Sequence, residues 1–63
     1  MRIPIKRNTA YRIYQNPLTE KIFEGLAFAL RRLKIEENGL EMWRVRFLSD
    51  NTVVDRFIKV VVY

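Results

Sequence analysis

A chain of 63 residues has room for one small domain, and a domain this short buries only ~60% of the surface its unfolded chain exposes. The balance of 49% apolar and 30% charged residues is globular, and the absence of Cys and His removes disulfides, thiolate sites, the usual general base and the commonest metal ligand together. Twelve Lys and Arg against seven Asp and Glu leave a net charge of +5, which suits a binder of polyanions or simply a well-solvated domain.

Residues 1–16 are a basic N-terminal segment, with Arg2, Lys6, Arg7 and Arg12 and not one acid. Ile3/Ile5 and Tyr11/Ile13 alternate with polar residues, so residues 2–6 and 10–15 read as a short hairpin turning at Arg7-Asn8. Pro4 cannot donate to a ladder, which holds residues 2–6 at an edge or outside a sheet. The segment lacks the apolar stretch of about 7–15 residues that a secretory signal needs. No apolar run approaches the roughly 20 residues of a membrane span. The expectation is a soluble, cytoplasmic protein.

Residues 17–37 read as a helix. Asn16 suits the N-cap, Pro17 the first helical position, and Asn38-Gly39 the stop. At 100° per residue, Leu18, Ile22, Leu26, Ala29 and Leu33 share one stripe, widened by Phe23, Ala27 and Leu30. Gly25 at its edge would cost ~1 kcal/mol relative to Ala in a helix, and a close backbone approach would account for it.

Residues 41–63 read as a hairpin, 41–48 against 52–63, around Ser49-Asp50-Asn51. A two-residue turn at Asp50-Asn51 sets Trp43 against Ile58, Val45 against Arg56 and Phe47 against Val54 on one face. Met42–Lys59, Arg44–Phe57 and Arg46–Asp55 then occupy the other. Residues 61–63 outrun the first strand, so they need a second neighbour, and the N-terminal segment is the obvious donor. The assembled expectation is a single α+β domain over residues 1–63, with one helix across a three- or four-stranded antiparallel sheet (ββαββ or βαββ).

Catalysis finds little to build on. Glu20 and Glu24 share a helix face but sit beside Lys21 where acids favour the helix dipole. Ser49 is the lone serine and has no His to activate it. With Gly25 and Gly39 the only glycines, no phosphate-cradling loop exists. A non-enzymatic protein without cofactor, metal or small-molecule substrate is expected.

Two binding readings remain. An exposed Phe28 and Ile35, seven apart and off the helix stripe, together with Val61 and Tyr63 of the overhanging strand, point to protein interaction. The partner would be a larger protein or a second copy. The alternative is nucleic-acid binding through Arg2, Lys6, Arg7, Arg12, Arg44, Arg46 and Lys59, with Arg44 and Arg46 projecting together on the outer hairpin face across from Phe57 and Lys59. Arg56, alone on the apolar hairpin face, breaks the local pattern.

Overall fold

Every regular element in the computed structural model, which describes residues 2–35 and 38–62, is a strand. Two short strands, β1 (Arg2–Ile3) and β6 (Val61–Val62), pair with each other. Between them in the chain, β2 (Ala10–Asn16), β3 (Lys21–Ile35), β4 (Leu40–Phe47) and β5 (Val53–Lys59) form one antiparallel sheet in sequence order. The fold is all-β rather than α+β.

The expected helix is therefore a correction, and β3 shows why its sequence misleads. Its inward positions, assigned by register, are Gly25, Ala27, Ala29, Arg32 and Ile35, opposite Ile13, Tyr11, Val45, Trp43 and Glu41. A regular strand would space them by two throughout. Leu30 and Leu33 are extra residues at irregularities of the β3–β4 ladder, so the later spacing becomes three. The expected stripe thus mixes inward Ala27 and Ala29 with outward Leu26 and the extra residues Leu30 and Leu33, which share a face only at helical spacing. Asn16 does cap something: its Oδ1 accepts the Thr19 N–H at 3.4 Å. The chain turns there instead of winding into a helix, and Glu20 at φ 53° and Ile22 at φ 61° hold backbone angles that no helix tolerates.

The bulges also set the shape. Fifteen residues of flat strand would reach about 50 Å, whereas the longest dimension of the molecule is 33 Å. β3 bends at each irregularity, and the sheet curls until β2 and β5 touch. Inside the curl lie Ile13, Ala27, Ala29, Trp43, Val45, Phe47 and Ile58, with Ile5, Tyr11 and Val54 packed against them. Of the expected helix stripe only Ala27 and Ala29 are buried; Leu18, Ile22, Phe23 and Leu26 are exposed.

The C-terminal hairpin forms with the expected faces but a register two residues away. Trp43 opposes Arg56, Val45 opposes Val54, and Glu41 opposes Ile58; outside, Met42 meets Phe57, Arg44 meets Asp55 and Arg46 meets Val53. The loop is the cause. Phe47 N–H donates to Thr52 O and Asn51 N–H to Phe47 O, both at 2.9 Å, so four residues turn rather than two. A shift of two leaves every side chain on its own face, so alternation alone cannot detect it.

At the other end, residues 2–6 do not pair with residues 10–15. Arg2 and Ile3 pair with Val62 and Val61, while β2 takes β3 as its neighbour. The overhanging C-terminal strand thus finds its partner in the N-terminal segment.

Candidate interaction surface

The outward side chains of β2 to β5 build a surface of unusual composition. Arg12 stands opposite Leu26, and Leu48 continues that row by donating its N–H to Leu26 O at 3.0 Å. In the next row Ala10, Phe28, Arg46 and Val53 succeed one another across four strands. Phe23, Leu26, Leu48 and Val53 are all about half exposed, and Ile22 is 66% exposed. Ile22 also holds a positive φ, a conformation that is a genuine outlier for a β-branched residue. An apolar side chain held in solvent at a strained backbone position is the kind of local cost that marks binding sites.

Cations rim this apolar strip. The Arg46 guanidinium lies 5.7 Å from the Phe28 ring centroid, covering an aromatic that is otherwise only half buried. Arg31 stands directly opposite Arg44, a like-charge cross-strand pair that sheets disfavour. Asp55 relieves Arg44, accepting from its Nε at 3.1 Å. Among the described residues, Arg12, Arg31 and Arg46 have no carboxylate within ion-pair distance.

The residues singled out from sequence are dispersed. Phe28 faces outward beneath Arg46. Ile35, in register with inward Glu41, ends β3 on the opposite face, so the Phe28–Ile35 stripe exists only on a helix. Val61 is exposed in β6 opposite Ile3, and Tyr63 lies outside the described residues. Of the basic set, Arg2 pairs with Val62 in β1, Lys6 donates its N–H to Tyr11 Oη at 2.8 Å, and Arg7 Nε reaches Leu30 O at 3.2 Å. Lys59 Nζ is 4.0 Å from Glu20 Oε1. Phe57 faces Met42 rather than Arg44, which dissolves the expected arginine–aromatic arrangement.

Sequence reading missed Leu26, Leu48 and Val53, although a signal for two of them existed. Leu48 comes after buried Phe47 and Val53 precedes half-buried, inward Val54, so simple alternation turns both outward. Leu26 was absorbed into the false helix stripe.

In comparisons with known proteins, no family model, no curated protein and no solved structure matches this chain. Among the described residues no helix is long and apolar enough to cross a membrane, and no three Asp or Glu side chains gather as a metal site would need.

Proposed function

We propose that the chain is a non-enzymatic protein-interaction module. Its outer face docks on a protein that presents apolar side chains ringed by carboxylates. One observation carries this reading: the exposed strip of Leu26, Leu48, Val53 and Phe23 on the sheet's outer face, rimmed by Arg12, Arg31 and Arg46. Burying apolar surface supplies affinity, while cations at the rim select an acidic partner. A domain with so small a core also gains stability by mass action when a partner binds only its folded form.

The aliphatic character of the exposed residues favours a protein over nucleic acid. Bases stack on aromatic faces and arginine planes. Among the described residues, the exposed large hydrophobics are Ile, Leu and Val except for Phe23. Phe28 and Phe57 are partly covered.

The test is site-specific photocrosslinking in the producing cell, with the photoreactive residue at Val53. A protein adduct that vanishes in Leu26→Ser with Leu48→Ser, while the variant keeps its fold, supports the reading. Adducts to nucleic acid, or adducts that persist in the double variant, overturn it.

A further inference from the structure

β2 and β5 are the two free edges of the four-stranded sheet, and the curl brings them together without a ladder between them. The hydrogen-bond parity fixes which backbone groups face this seam. Phe47 N–H donates to Thr52 O and Val60 N–H to Gly39 O, so even-numbered residues of β5 bond toward β4. Phe57 and Lys59 therefore turn their N–H and C=O groups to the free edge. On β2, Ala29 N–H donates to Thr9 O, so odd-numbered residues bond toward β3 and Ala10 and Arg12 face the seam. Beside these edges runs a groove of about 610 Å³ lined by Tyr11, Tyr14, Leu18, Phe57, Ile58 and Lys59, among others.

We propose that the groove beside this seam accepts a strand: an extended segment of a partner protein, alternating apolar and acidic residues, paired along the β5 edge where the groove parts it from β2. The register dictates the alternation. A residue opposite Ile58 projects to the inner face, where Ile58 is buried and Tyr11 half-buried, so it must be apolar. Residues opposite Phe57 and Lys59 project to the outer face, where Lys59 and Arg12 stand on the two rims. Among the described residues the one acid lining the groove, Glu20, is already within 4.0 Å of Lys59, so the charge these residues leave on the rim is positive. Main-chain bonds to an open edge give such a complex its affinity, and the alternate side chains give it specificity. This site shares Arg12 with the rim of the outer strip but none of Leu26, Leu48 and Val53, so changes at those three residues test the two readings apart.

The experiment is an NMR titration of the isotope-labelled full chain with a short capped peptide of alternating Val and Glu. The expected result is saturable shifts at Arg12, Phe57 and Lys59, with slowed amide exchange at Phe57 and Lys59. Arg12→Glu with Lys59→Glu should weaken this peptide about tenfold and favour its Val/Lys counterpart. Arg12→Gln serves if the double reversal unfolds, with a smaller loss in the same direction. Leu26→Ser with Leu48→Ser should leave the titration unchanged. The proposal is overturned by absence of binding, by equal binding of the Val/Lys peptide, or by shifts confined to the outer strip. Broadening of the seam amides with protein concentration alone would assign the seam to a second copy, and saturation by an oligonucleotide would assign it to nucleic acid; either result rejects it.

Discussion

Glu24 and Arg56, 32 residues apart and on strands separated by β4, meet across the inside of the curl with Arg56 Nε 3.0 Å from Glu24 Oε1. A second contact, Arg56 Nη2 to Glu24 Oε2 at 3.4 Å, makes the pair two-pronged. Both partners reach this position through irregularity. Glu24 is the extra residue of the bulge between the Ile13–Gly25 and Tyr14–Phe23 pairs, and Arg56 stands in the inward row opposite Trp43. The cation that breaks the apolar pattern of the hairpin thus has its counterion on another strand.

Cutting this pair tests the curl itself. Arg56→Met should cost about 1–2 kcal/mol, between the small value of an exposed pair and the larger one of a buried pair. Glu24→Leu together with Arg56→Met should cost less than the two single changes combined, because neither charge is then left unpartnered. Urea unfolding of the four proteins of the cycle measures this, and strict additivity would show that the two residues do not interact.

Gly25 offers a change whose sign separates strand from helix. Its φ is +147°, open to glycine and strained for any L side chain, and the Phe47 ring packs 3.4 Å from where a Cβ would sit. An aromatic laid over a strand glycine compensates for the missing side chain. Gly25→Ala should therefore destabilise the protein by about 1–3 kcal/mol. In a helix over residues 17–37 the same change would stabilise it by ~1 kcal/mol. A rise in melting temperature would reject the all-β fold.

Legibility in the sequence tracks the regularity of each strand. β4 alternates buried and outward residues cleanly from Glu41 to Phe47, so its faces, and those of β5, could be read directly. β3 could not be read so, because Glu24, Leu30 and Leu33 each break its period of two. Its neighbours on both sides supply the pairing that overrides a helix-like pattern. The candidate surface was obscured by the same error, since Leu26 and Phe23 belonged to the supposed core and Phe28 and Ile35 to a stripe that bulges divide.

Asp50 carries a pH dependence. Its carboxylate accepts the Thr52 N–H at 3.0 Å, and this backbone bond, helped by the Thr52 hydroxyl, holds its pKa below the ordinary aspartate range. A depressed folded-state pKa contributes stability above the unfolded value of about 4, lost as pH falls through the lower folded value. Asp50→Asn, which stands in for the protonated carboxyl, should flatten the acid limb of the stability curve by lowering stability at neutral pH while leaving stability near pH 2 nearly unchanged. Chemical unfolding at several pH values from about 2 to 6 checks this. An unaltered acid limb would place the titrating group elsewhere.

Trp43 and Glu41 make the last prediction, because together they form the one polar contact sealed in the core among the described residues. Glu41 is 7% exposed, and its Oε1 accepts from Trp43 Nε1 at 3.0 Å. Both stand in the inward row of β4, two residues apart, so the strand's own alternation brings them together. Trp43→Ala should cost about 3–5 kcal/mol through the cavity alone, which a domain of this size will not survive. Trp43→Phe is the more informative change. It keeps an aromatic ring in place but strips Glu41 of its indole donor, and an unmatched buried acceptor adds about 1–3 kcal/mol to the loss of ring volume. Replacing the acceptor as well removes that penalty, so Trp43→Phe with Glu41→Leu should be more stable than Trp43→Phe alone. Circular dichroism monitored through urea unfolding gives the comparison without needing the indole as a reporter. If the double variant is no more stable than the single one, Glu41 is solvated in solution and the inward row of β4 is less closed than its burial implies.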